Sequence, residues 1–144
     1  MIPDKIVKRL ILVQEYYQLL EKKLLIPKEE FLKNPDNYLS AERLLQLISE
    51  AMIDISNHII AKKQLGKPET YSDIFMILSK KGIISEELGE KLLIFAGLRN
   101  ILVHDYLGLD RERLYLEAKD NKDDIITFIT QIRQFLGKNS GNKL

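Results

Sequence analysis

Glu42-Arg43-Leu44-Leu45-Gln46-Leu47-Ile48-Ser49-Glu50-Ala51-Met52-Ile53-Asp54-Ile55-Ser56-Asn57-His58 decides the fold, because its apolar residues return every three or four positions instead of alternating. Leu44, Ile48, Ala51, Ile55 and Ile59 fall along one helical face, the spacing that buries a stripe against neighbouring helices. Ser40 offers a hydroxyl cap, Glu42 puts negative charge where the helix dipole favours it, and Gly66 and Pro68 close the segment. The pattern therefore predicts a helix over about residues 41–63. Beside the apolar face run Glu50, Asp54, Asn57 and His58, a polar stripe at i, i+4, i+7 and i+8. That stripe is either a solvated surface with i,i+4 hydrogen bonds or one wall of a cleft between packed helices.

The same period extends outward in both directions. Pro3 and Asp4 open a helix to about Leu25 with Ile6, Leu10, Val13, Tyr17 and Leu20 on one face, and Pro27 ends it. Pro27, Asn34, Pro35, Asp36 and Asn37 give the next stretch the composition of a connector. Beyond the central helix, Thr70 or Ser72 starts a short helix carrying Ile74, Ile77 and Leu78, which Gly82 stops. Ser85 caps a fourth, with Glu86 and Glu87 in its first turn, that runs into residues 99–104. Asp110 caps a fifth with Leu114, Leu116, Ile125, Ile129, Ile132 and Phe135, bent near Asp120-Asn121. Val/Thr-rich alternation is absent, so the expected fold is all-α: an up-and-down bundle of about five helices. It forms one domain over residues 1–137, followed by a disordered polar tail at 138–144.

Composition narrows the function classes. A chain of 144 residues with 45% apolar content builds one core. With 22 basic and 21 acidic residues the net charge is +1, so a nucleic-acid partner must be met by a local patch, not by a global basic field. The absence of cysteine removes disulfides and thiolate zinc sites, and His58 and His104 are too far apart to form a metal motif; no metal or other cofactor is expected. No apolar run reaches the roughly eighteen residues that span a bilayer, and the start of the chain lacks the pattern of a signal peptide, so a cytoplasmic protein without membrane contact is expected. Gly-rich phosphate loops, paired catalytic carboxylates and nucleophile elbows are missing.

Chemistry concentrates in Arg99-Asn100-Ile101-Leu102-Val103-His104-Asp105-Tyr106, which follows the core-forming run Leu92-Leu93-Ile94-Phe95-Ala96-Gly97-Leu98. A permanently charged guanidinium beside an imidazole that titrates near neutrality can hold a phosphate and move a proton next to it. Five positions separate Arg99 from His104, about 140° around an ideal helix, so the two do not share a face. Either the helix ends near His104, or the site is shared between two chains across a dimer. Arg111 and Arg113 lie close enough in sequence to steer an RNA backbone toward the cluster, and otherwise belong to ordinary solvated surface.

The Arg-x4-His-x-Tyr element formed by Arg99, His104 and Tyr106 resembles the signature of the HepT toxins, a branch of the HEPN superfamily. Residues 42–58 resemble that family's second helix, and Tyr71-Ser72-Asp73-Ile74 and Leu98-Arg99-Asn100 continue the likeness in order, so that it covers roughly residues 4–136. The resemblance implies a homodimeric helical bundle in which Arg99 and His104 of both copies line one cleft of a metal-independent endoribonuclease. On that reading His104 transfers the proton, Arg99 faces the phosphorane charge, and Asn100 orients the histidine or donates to phosphate. Glu50 and Asp54 would help shape the cleft.

HepT toxins are similar in a second respect, a pairing with a nucleotidyltransferase antitoxin of the MntA kind that adenylylates the motif tyrosine. Carried over by resemblance, the acceptor here is Tyr106, where an added AMP would block RNA by bulk and like charge. The alternative is a non-catalytic nucleotide- or substrate-binding partner subunit of a nucleotidyltransferase, and a third is a plain helical dimerisation domain. Mutation of His104 separates them: a nuclease loses cleavage, a nucleotide-binding subunit loses nucleotide affinity, and a scaffold loses neither.

Overall fold

A computed structural model describes residues 4–104 and 106–141, with the side chains of Tyr106 and residues 139–141 excepted. It is all-helical. The α-helices are α1 (Asp4–Leu24), α2 (Lys28–Lys33), α3 (Pro35–Lys63), α4 (Tyr71–Lys80), α5 (Glu86–Lys91), α6 (Leu93–His104), α7 (Arg111–Asn121) and α8 (Asp123–Gly141), with a 3-10 turn at Tyr106–Gly108. The eight α-helical segments among the described residues exceed the expected five for two reasons. The supposed connector folds as α2, which buries Phe31 against Tyr115, the ring centroids 4.7 Å apart. In addition, one-residue breaks at Leu92 and Lys122 divide the fourth and fifth expected helices, the second within two residues of the anticipated bend.

Helix α3 starts six residues before the predicted position 41. Asn34 accepts a hydrogen bond from the Asp36 amide at 3.0 Å and Pro35 takes the first helical position, so the residues read as a connector are a capped helix start. At the other end Gln64 adopts the left-handed conformation at φ 53° and donates to the Ile60 and Ala61 carbonyls. Gly66, at φ 133°, then turns the chain back, a conformation that glycine takes without strain.

The core is organised around α3, which packs most extensively on α1 and also meets α4 and α6. This encirclement changes the burial expected of a one-sided helix. Ile48, Ile55 and Ile59 are buried as the period predicts, but Leu44 and Ala51 are only half-buried while Leu45, Met52, Ile53 and Ile60 are fully inside. On α1 every predicted position from Ile6 to Leu20 is buried. Helix α8 closes the other side, with Phe128 edge-on to Phe75 at 6.4 Å and 83°. Leu116, expected inside, is 46% exposed because α7 packs through Leu114, Tyr115 and Ala118.

Helix α8 runs to Gly141, and the rest of the expected polar tail, residues 142–144, lies outside the described residues. No helix among the described residues is long and apolar enough to cross a membrane.

A reciprocal cap fixes the start of α4. The Asp73 amide donates to Thr70 Oγ1 at 3.1 Å, and the Thr70 and Glu69 amides donate to Asp73 Oδ2 at 3.2 and 3.0 Å. The Glu69 amide, foremost, and the Thr70 amide and hydroxyl hold the Asp73 carboxyl below its ordinary value of 3.8, against a smaller opposing effect of burial. A carboxyl lowered in the folded state contributes stability that is present above its unfolded pKa and lost as pH falls through the folded one. Asp73→Asn should therefore flatten the decline of the thermal midpoint between about pH 5 and pH 2 relative to the unmodified chain, as followed by circular dichroism. Parallel declines in the two proteins would show that the cap carboxylate adds nothing.

Candidate active site

Apolar packing sets where the reactive residues emerge. Phe95, Ala96, Leu98 and Leu102 bury one side of α6, leaving Arg99 half-buried and Asn100 and His104 exposed. The helix ends at His104 itself. There the long Arg99 side chain reaches along the final turn and brings Nη1 to 3.4 Å from His104 Nε2. The angular separation of the two residues therefore does not prevent their contact within one chain. A guanidinium only donates, so the contact is a hydrogen bond when Nε2 carries no proton, and that lone pair takes a proton from substrate once Arg99 turns its donors to phosphate.

Tyr71 supports the arginine. Its ring lies beneath the guanidinium, 4.8 Å from Arg99 Cζ, and it occupies the first position of α4, where the Thr70–Asp73 cap anchors it. The Thr-x-x-Asp spacing of Thr70 and Asp73 is the local signal in the sequence that residue 71 is held. Tyr106 begins the 3-10 turn directly after the pair. Its side chain and Asp105 lie outside the described residues.

The polar stripe of α3 does not join this pair directly. Glu50 accepts from Gln46 Nε2 at 2.9 Å, and exposed Asp54 lies 3.7 Å from Arg9 Nε. Among the described residues no hydrogen bond or ion pair links Glu50, Asp54 or His58 to Arg99 or His104, and no group of histidine and acidic side chains is placed to hold a metal ion. Asp54, Asn57 and His58 line a notch of about 300 Å³ with Lys5 and Arg9. Asn57 also lines a larger open groove of about 850 Å³, which Tyr71 and Asn100 share.

Arg111 has a structural role that its sequence position concealed. Its Nε donates to Glu42 Oε2 at 2.7 Å, and its guanidinium lies 4.2 Å from the centre of the Tyr38 ring. Glu42, read from sequence as a dipole-favoured residue near a helix start, is 4% exposed and binds α7 to α3. Arg113 pairs with Glu117 at 3.0 Å on the surface.

The all-helical fold and its likeness to known proteins place the chain in the HEPN class of helical ribonucleases. The chain superposes with a TM-score of 0.82 on the solved structure of a tri-AMPylated Shewanella oneidensis HEPN toxin in complex with MNT antitoxin, at 28% identity over 92% of this chain and 99% of that one. The Ribonuclease HepT-like family model matches residues 13–132, and the chain belongs to that family. Among relatives, it is 34% identical to the tRNA nuclease HepT of Aphanizomenon flos-aquae across 93% of this chain and 91% of the relative. It is 38% identical to the mRNA nuclease HepT of Shewanella oneidensis across 62% of this chain and 67% of that one.

Proposed function

We propose that this chain is the toxin of a toxin–antitoxin pair, a cytoplasmic, metal-independent endoribonuclease that acts as a homodimer and is silenced by adenylylation of Tyr106. The observation that carries the catalytic part is the 3.4 Å approach of Arg99 to His104 at the exposed end of α6. His104 takes the proton from a ribose 2'-hydroxyl, whose oxygen attacks the adjacent phosphorus as the bond to the 5'-oxygen breaks and that oxygen leaves protonated. Arg99 faces the charge that accumulates on the phosphorane oxygens. Pairing two copies would set two Arg99–His104 pairs in one cleft and provide a base and an acid together. Asn100, exposed beside the pair, donates to phosphate or orients the imidazole, while Glu50 and Asp54 support the wall of α3 from a distance.

Similarity to a HEPN toxin described as tri-AMPylated and bound to MNT antitoxin supports the regulatory part. Tyr106 follows His104 by two residues, so an adenylyl group there adds bulk and negative charge where RNA phosphate must bind. Treated with an MntA-like nucleotidyltransferase and ATP, the unmodified chain should lose RNA cleavage and gain AMP on Tyr106, whereas Tyr106→Phe should stay active. Mass spectrometry and a cleavage assay read both results, and silencing of Tyr106→Phe to the same degree would remove Tyr106 as the control point.

A further inference from the structure

A groove lined by neither Arg99 nor His104 shares Asn100 and the Tyr71 ring with the surroundings of that pair. Its wall includes the Tyr71 ring that underlies Arg99, and Asn100, the neighbour of Arg99 in sequence, reaches the same space. The floor is apolar: Ile60 and Ile74, each 2% exposed, lie beneath it. Exposed Asn57 and Ala61 line it from α3, and the following loop adds Lys67 and Glu69. At about 850 Å³ it falls within the range, about 300–1,000 Å³, of sites that take small organic groups.

We propose that this groove is the subsite for the nucleobase adjoining the cleaved phosphate, with Asn57 and Asn100 reading its edge. The proposal rests on the nuclease reading of the Arg99–His104 pair and adds the element that selects where RNA is cut. Single-stranded RNA is recognised by bases that turn out of the stack onto apolar or aromatic surfaces and present their edges to hydrogen-bonding groups. The half-buried Tyr71 ring provides such a surface, with Ile60 and Ile74 as the apolar backing beneath it. Each asparagine amide offers a donor and an acceptor together, the combination a base edge matches. A phosphate held by Arg99 leaves the attached nucleoside within reach of this opening, because Tyr71 borders both. The 64–70 loop that forms the outer wall is fixed at one end by the left-handed Gln64 and at the other by the Thr70–Asp73 cap, so the subsite is built before RNA arrives.

Asn57→Ala is the direct test, since the residue is exposed and its loss leaves no buried group unpaired. Sequencing the ends produced from a random single-stranded RNA pool should show the base preference at one position beside the cut flattened, and kcat/KM on the preferred sequence lowered about tenfold. An unchanged preference with unchanged KM overturns the proposal. A titration independent of cleavage separates this result from failure of the nuclease reading. In His104→Ala protein, a short single-stranded oligoribonucleotide should shift the side-chain amide signals of Asn57 and Asn100 in an NMR spectrum. Those shifts show that a base enters the groove independently of cleavage, so that their presence without cutting overturns the nuclease reading and their absence with cutting overturns the subsite. Binding that moves other signals and leaves both amides in place contradicts it.

Discussion

Arg99→Ala and His104→Ala should each fold normally and each lose RNA cleavage by about 10²–10⁴-fold, the range for removing a general acid–base group or a charge-stabilising donor. Both side chains lie at the surface end of α6, half-buried and exposed respectively, so neither supports the core that Phe95, Leu98 and Leu102 build behind them. Circular dichroism should show little change in thermal midpoint. Arg99→Lys sharpens the result, because an ammonium keeps the charge but not the planar fork of donors, and should recover only part of the rate. Cleavage kinetics on a defined RNA check all three proteins; full activity in His104→Ala would leave the pair without a catalytic role.

Glu42→Ala should produce the largest loss of stability among changes to charged residues, about 3 kcal/mol, the lower end for breaking a buried ion pair because part of the Arg111 side chain still meets water. In a chain of this size that lowers the thermal midpoint by roughly 10 °C. The carboxylate is 4% exposed and receives Arg111 at 2.7 Å, while the Arg111 guanidinium rests on the Tyr38 ring. Its loss therefore removes one tie between α3 and the start of α7, the helix that follows the 3-10 turn at Tyr106–Gly108. Glu42→Gln keeps an acceptor for one donor and should fall between. Urea unfolding monitors the series, and a Glu42→Ala midpoint indistinguishable from the unmodified protein would show that the pair contributes no net stability.

Residues with local consequences were the ones legible in the sequence. The apolar period of α1, the cap at Ser85, the stop at Gly82 and the cap at Asp110 each depend on a few neighbouring side chains, and each stands where the pattern put it. Asn34-Pro35 was local as well, but turn composition and a capped helix start use the same residues, and only the burial of Asn37, Ala41 and Glu42 just beyond decides between them. The Arg99–His104 contact depended on where α6 stops, which spacing alone left as one of two alternatives. Glu42 and Arg111 are 69 residues apart, and neither carries a local mark of the other. The groove brings together α3, the 64–70 loop, α4 and α6, an arrangement that no periodicity within one element encodes.

The central claim, a metal-independent ribonuclease built on Arg99 and His104, is tested most directly by mapping the ends that the unmodified chain leaves on RNA in the presence of EDTA. A transfer-RNA pool and a defined messenger RNA serve as substrates, with His104→Ala alongside. Cleavage by internal attack of the 2'-hydroxyl predicts 2',3'-cyclic phosphate and 5'-hydroxyl ends, formed in EDTA by the unmodified protein and lost with His104→Ala. Cleavage that EDTA abolishes, 5'-phosphate products, or equal cutting by both proteins would contradict the account.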